Sequence, residues 1–234
     1  VLADVENRLL PTPAVLVGSL TTLNEEMGKA LIAEHDIPVP AHATGTFEEV
    51  IAAADLLGYP LAVKLLNEDL LHKNRAGAVH LNIKDASGLK QAISAIQTSV
   101  TRYDDRLDTS HFLIENMVET PMAEFIAGVS YKPGIGHVLL IGRGGTDVEE
   151  LRDFTTLLLP ASAVQIDDAI RRLSLTRKLR LDQQKIGSLV QVVSQVAQFT
   201  NQYRDRLVEL DVNPIILDAT GTCTAVDALV RMRT

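Results

Sequence analysis

Between Leu207 and Leu217 the chain reads LVELDVNPIIL, where apolar and polar positions alternate with the two-residue period of a strand. Val208, Leu210 and Val212 point one way, and Glu209, Asp211 and Asn213 the other. The turn residues Asp218-Ala219-Thr220-Gly221 lead to a second short strand, Cys223 to Val226, so a hairpin would return Asp227 to the side of Asn213. Pro214 favours an edge position, because it has no N–H to give to a ladder.

Helical periodicity dominates the first half. Thr22 and Glu25 have capping-box spacing, and Met27, Ala30, Leu31 and Ala33 supply an apolar face that ends at Ile37-Pro38-Val39-Pro40. A second capping box, Thr46 to Glu49, opens a helix in which Phe47, Val50, Ile51, Ala54 and Leu57 recur at helical spacing before Gly58. The apolar run Leu61 to Leu66, interrupted only by Lys64, predicts a buried strand. A strand near Val79 to Ile83, a helix marked by Leu89, Ala92, Ile93, Ile96 and Val100, and a buried strand from Phe112 to Glu115 follow.

The second half has a faster rhythm. Strands are predicted at 124–129, 137–141 and 153–158, around Pro133-Gly134 and the glycines Gly142, Gly144 and Gly145, and helices at 163–173 and 184–199. Ile186, Leu189, Val190, Val193, Val196 and Ala197 form the stripe of the last helix. The expected architecture is α+β: a lead-in over residues 1–21, a first lobe over 22–118 and a second over 119–234.

Composition narrows the function. Asp and Glu outnumber Lys and Arg by 30 to 22 and no basic run stands out, which argues against a nucleic-acid surface. The single cysteine, Cys223, excludes an internal disulfide and fits a reducing compartment. No apolar run approaches the roughly 20 residues of a membrane span, so a cytoplasmic location is expected. The first residue, Val1, is not methionine, which points to a processed chain or to one domain of a longer polypeptide.

Several residues carry candidate chemistry. Lys64 is a charge inside a buried strand and needs an anion, so with the glycine-containing loop after it the lysine forms either a phosphate clamp or a snorkelling structural pair. His72, beside Lys73 and Arg75, is either a phosphoryl acceptor or a plain loop side chain. The strand end at Glu115 leads into exposed backbone groups of the kind that hydrogen-bond a flat base, or into a solvated connector. Asn213 and Asp227 offer hard oxygens of the kind that hold Mg²⁺ together with substrate phosphates, or line a solvated hairpin. No GxGxxG or GxxxxGK[ST] is present.

The blocks GYPLAVKLL, LLHKNRAGAVHLNI, FLIENMVETPMAEFIAGV, KPGIGHVLLIGRGGTDVEELRDF, ELDVNPIIL and AVDA occur in one order from about Thr22 to Val230. In this order they resemble the ATP-grasp domain of the NDP-forming acyl-CoA synthetases, as found in succinyl-CoA synthetase and ADP-forming acetyl-CoA synthetase β subunits. The resemblance implies two α+β lobes with ATP or ADP between them. It assigns phosphate contact to Lys64, closure over the phosphates to the loop around Gly77, and adenine or ribose contact to Glu115 and Glu124. Met117 and Val118 would offer backbone groups to the base. Asn213 and Asp227 would bind Mg²⁺, Asp211 would lie near a phosphohistidine docking site, and His72 would relay a phosphoryl group. The implied partner is a CoA-binding, phosphohistidine-bearing subunit or fused domain, with a small carboxylic acid and CoA as substrates and assembly into an oligomer.

The chain departs from the family pattern in places. HKxDxGGV has Arg75 for its acidic residue and Ala78 for its second glycine, and DPxFGP is replaced by residues 132–137. Leu157 stands where arginine is common, and LTRKLRL at 175–181 replaces a GyRG stretch. Such drift in loop and interface positions points to a divergent substrate or partner. The alternatives are an ATP-grasp carboxylate ligase using another nucleophile and a non-catalytic nucleotide-sensing module.

Overall fold

The structure, a computed structural model, describes residues 15–67, 70, 73, 75–145 and 152–234. Among these residues two antiparallel sheets form, each with its own core. The smaller sheet runs in the order β2 (His42–Gly45), β5 (Phe112–Asn116), β3 (Leu61–Leu65), β4 (Val79–Ile83). Helices α2 (Phe47–Leu57) and α3 (Ala86–Tyr103) cover it. All five α3 residues predicted to face inward, Leu89, Ala92, Ile93, Ile96 and Val100, are buried. The Glu49 carboxylate accepts from the Thr46 N–H at 2.7 Å and starts α2 as the capping box requires.

The larger sheet runs β1 (Leu20–Leu23), β11 (Ala228–Arg233), β9 (Leu207–Asp218), β6 (Pro121–Lys132), β7 (Gly136–Arg143), β8 (Phe154–Leu158), with β10 (Cys223–Ala225) also on β9. One face packs on α4 (Ala163–Arg172), α5 (Ser174–Leu179) and α6 (Gln183–Gln202), where Phe125, Leu139, Leu189, Val193, Phe199 and Leu210 are buried together. In α6 the buried face takes in Val192 and Phe199, whereas Val190 and Ala197 are only partly buried.

Three local expectations differ from the structure. First, α1 (Glu25–Ala33) is capped by Asn24, whose side chain accepts from the Met27 N–H, while Thr22 lies in β1. Second, β1 pairs with β11 and Ile32 and Ile37 join the larger core, so sheet membership groups residues 20–37 with the C-terminal half, although the sequence boundary groups 22–118. Chain-order reasoning misses a pairing between residues more than two hundred positions apart. Third, Pro214 does not lie on an edge, because β9 is flanked by β6 on one side and by β10 and β11 on the other. The register shifts between Phe125 and Ala127 opposite Asn213-Pro214, and a bulge needs no ladder N–H there. A second shift near Leu207 leaves Val208 half-buried while Leu207 takes the core position.

Among the described residues no helix is long and apolar enough to cross a membrane.

Candidate functional site

Lys64 lies on β3, a strand buried along its whole length. Its ammonium donates to Glu25 Oε1 at 2.6 Å, to Glu115 Oε1 at 2.8 Å and to the Val226 carbonyl at 2.8 Å. These three acceptors match the three protons of an ammonium. Glu115 comes from β5 beside β3, but Glu25 comes from α1 and Val226 from the loop between β10 and β11, so Lys64 ties the small sheet to the large one.

Two further lysines join the network. Lys29, one turn after Glu25 on α1, forms an ion pair with Glu25 Oε1 at 2.9 Å and closes on Glu115 Oε2. Lys73 pairs with Glu25 Oε2. Glu25, Lys29, Lys64 and Glu115 are all buried. Burial alone would raise the Glu25 pKa, but the ammonium groups of Lys64, Lys29 and Lys73 outweigh it and hold the carboxyl well below its usual range. Burial opposes the charge on Lys64 as well, yet Glu25, Glu115 and Asp227 hold its pKa well above the ordinary lysine value.

The large sheet contributes oxygen donors. The Asn213 N–H donates to the Asp227 carbonyl at 3.3 Å, so the hairpin returns Asp227 to Asn213 as the alternation predicts. Asn213 Oδ1 accepts from the Gly145 N–H at 3.0 Å, and the Glu124 carbonyl accepts from the Gly144 N–H at 2.8 Å. The glycine pair thereby lies directly on β6 and β9. A Cβ on Gly144 would collide with the Phe125 carbonyl, and one on Gly145, at φ +93, with the Glu124 carboxylate. Gly144→Ala is therefore expected to cost about 1–3 kcal/mol, read by urea unfolding.

Asp227 and Asp211 both resist ionisation. Burial raises the Asp227 pKa and the nearby Glu25 carboxylate adds to it, against the pull of Lys64, Lys73 and Lys29. Burial pushes Asp211 up to about 6, with Glu209 and Asp227 contributing, and among the described residues its Oδ1 has no hydrogen-bond partner. Among the described residues no group of three or more His, Cys, Asp or Glu could hold a metal ion. The smaller set of the Asn213 amide and the Asp227 carboxylate, with the unpartnered Asp211 oxygen nearby, fits Mg²⁺, which takes one or two carboxylates and completes its shell with water and phosphate.

Other sequence candidates are placed differently. Both Glu115 oxygens pair with lysines, so the side chain braces Lys64 from the small sheet. The Met117 N–H donates to the Pro60 carbonyl at 3.2 Å, and the Asn116 side-chain amide to Leu57, because the chain leaving β5 packs against the α2–β3 connection. Of Met117's backbone groups, that leaves the carbonyl for a ligand. Met117 and Val118 are both partly buried. Gly77 sits at φ +68, where a Cβ would press on Ser99 at 3.1 Å. His72 lies outside the described residues. Glu25 was read from sequence only as a capping-box residue, and Lys29 was not singled out. Their four-residue spacing reads as an ordinary surface pair on a helix.

A family model of an ATP-grasp domain matches residues 14–232. The chain belongs to the ATP-grasp family. This ATP-grasp chain is 29% identical over 225 residues to the β subunit of acetate–CoA ligase [ADP-forming] II of Pyrococcus furiosus, covering 94% of this chain and 95% of the relative. It is 28% identical over 204 residues to 4-hydroxybutyrate–CoA ligase [ADP-forming] of Nitrosopumilus maritimus, covering 85% of this chain but only 29% of that longer protein. Among solved structures, a Pyrococcus horikoshii Ot3 protein matches with TM-score 0.84 and 27% identity over 91% of this chain and 92% of its own. The acetyl-coenzyme A synthetase 1 of Ca. Korarchaeum cryptofilum, in complex with coenzyme A and Mg-AMPPCP, shares the fold at TM-score 0.74 and 22% identity, over 91% of this chain and 93% of that one.

Proposed function

We propose that this ATP-grasp chain is the nucleotide-handling part of an ADP-forming acid–CoA ligase, in which acid, CoA and ATP give acyl-CoA, ADP and phosphate. The observation that carries it is the contact of the Lys64 ammonium with the Val226 carbonyl, one residue before Asp227. A cation suited to phosphate is thereby set beside the two oxygen donors suited to Mg²⁺. The likeness to a β subunit over nearly the full length of both chains supports the same reading.

The chain's residues have electrostatic work to do. Lys64 and Lys73 stand where phosphoryl oxygens can exchange with Glu25 as their counter-anion, and the backbone N–H groups around Gly77 lie on the same lobe. Asn213 and Asp227 would hold Mg²⁺, which when bound neutralises charge on the phosphates. Asp211 would face an incoming histidine of the partner, and His72 would relay a phosphoryl group. The acid, the CoA chemistry and the phosphohistidine belong to a partner subunit or fused domain. The metal, the nucleotide and the oligomeric assembly are parts of this proposal.

Calorimetric titration with ADP and ATP, with and without Mg²⁺, tests the reading. Mg-dependent binding in the micromolar range, about −8 kcal/mol, is expected. Asn213→Ala and Asp227→Ala should each weaken Mg-nucleotide binding about tenfold or more while leaving the unfolding midpoint within a few degrees. No binding at millimolar nucleotide would overturn the proposal, and unchanged affinity in both variants would remove the metal assignment.

A further inference from the structure

The cleft's lysines are not equivalent. The Lys64 and Lys73 side chains keep 8% and 20% of their surface exposed, but the Lys29 side chain keeps none. Lys29 contacts the same two carboxylates that hold Lys64, sharing Glu25 Oε1 with it and taking the opposite oxygen of Glu115. The result is a closed ring of Lys29, Glu25, Lys64 and Glu115. Its helix α1 packs on the large sheet, whereas Lys64 and Glu115 lie on the small one, so the ring joins the two sheets. With Lys73 and Asp227 included, three ammonium groups face three carboxylates.

A fully buried ammonium cannot reach a ligand. What it can do is fix the two carboxylates and offset their charge. If it were lost, the same carboxylates would face Lys64 and Lys73 alone, binding Lys64 more tightly and turning the local potential against an incoming anion. A neutral nucleoside would not sense that change.

We propose that Lys29 is a positioning residue of the nucleotide site, holding Glu25 and Glu115 so that the Lys64 ammonium remains available to a polyphosphate. This inference rests on the nucleotide reading above. It is tested by measuring ADP affinity by calorimetry and adenosine affinity by ligand-observed NMR for the native chain, Lys29→Met, and the charge-balanced Lys29→Met/Glu115→Gln. Lys29→Met is expected to weaken ADP at least about tenfold with adenosine unchanged within about twofold, and the double variant to recover most of the ADP affinity. Parallel loss of both ligands, which a merely structural role would give, overturns the proposal, as does unchanged ADP affinity. If Lys29→Met does not fold, the double variant decides alone. An ADP-to-adenosine affinity ratio near the native one supports the proposal, and a collapsed ratio overturns it. A native chain that binds neither ligand fails the nucleotide reading itself, a result distinct from selective failure in the variants.

Discussion

Replacing Lys64 with methionine is expected to destabilise the protein by about 3–5 kcal/mol and to remove detectable nucleotide binding. Methionine fills much of the same volume on β3, so the loss is mainly electrostatic. Glu25 would keep Lys29 and Lys73, but Glu115 would keep only Lys29, and the Val226 carbonyl would lose its donor. Removing one partner of a buried ion network leaves the others desolvated without full compensation. The pH dependence carries the same signature. Glu25 ionises in the native state well below its ordinary value of 4.5, so its contribution is complete above that pH and is lost as pH falls through the folded value. Lys64 is shifted upward from 10.5, so its contribution is complete below that pH and is lost as pH rises beyond it. The contribution of Glu25 and Lys64 should therefore hold a plateau between about pH 5 and 10 and fall on the acid side, with a shallower acid fall in Lys64→Met. Urea unfolding at pH 4, 7 and 9 reads all three. Equal stability of the variant and the native chain at pH 7 would mean that the network contributes little.

Much of this cleft was legible in the sequence, and the reasons are local. The stripe of α3 and the Thr46–Glu49 capping box are short-range patterns, and the structure follows them. Asn213 and Asp227 were legible because a tight hairpin brings residues close in sequence together. Lys64 was conspicuous because a charge in an apolar strand must have a partner, although nothing local identified Glu25 as that partner. The association of β1 and α1 with the large sheet was not legible, since the register of Leu20–Leu23 with β11 depends on long-range pairing. Without it, Glu25 was read only as a capping residue, Lys29 drew no reading, and Glu115 was assigned to adenine or ribose. The same long-range contact converts all three into a buried brace. Pro214 misled for a related reason, because a bulge in a central strand removes the demand for an N–H as effectively as an edge does.

Replacing Asp211 with asparagine is expected to stabilise the protein while impairing its chemistry. Asp211 lies on β9 opposite Gly128 of β6, and among the described residues its buried Oδ1 has no hydrogen-bond partner. Burial is the main reason its pKa rises from 3.8 to about 6, and the carboxylates of Glu209 and Asp227 add repulsion. A raised pKa means that the folded state holds the proton more tightly than the unfolded one. Ionisation therefore removes stability as pH climbs from about 4 to 6, and the full cost, at most about 3 kcal/mol, is present at neutral pH. Asparagine keeps the shape and removes the charge. In chelator, Asp211→Asn should gain up to about 3 kcal/mol at pH 7.5 and almost nothing at pH 4. A residue that weakens the fold at working pH persists most readily where the ionised oxygen has a task, which under the proposed function would be to face the histidine of a partner as it gives or takes a phosphoryl group. Phosphoryl exchange between ADP and a histidine-bearing partner should accordingly drop by about 10²-fold or more with metal-free ADP affinity unchanged. Exchange at the native rate would remove Asp211 from the chemistry, and a variant no more stable at pH 7.5 would show that water already solvates the carboxylate.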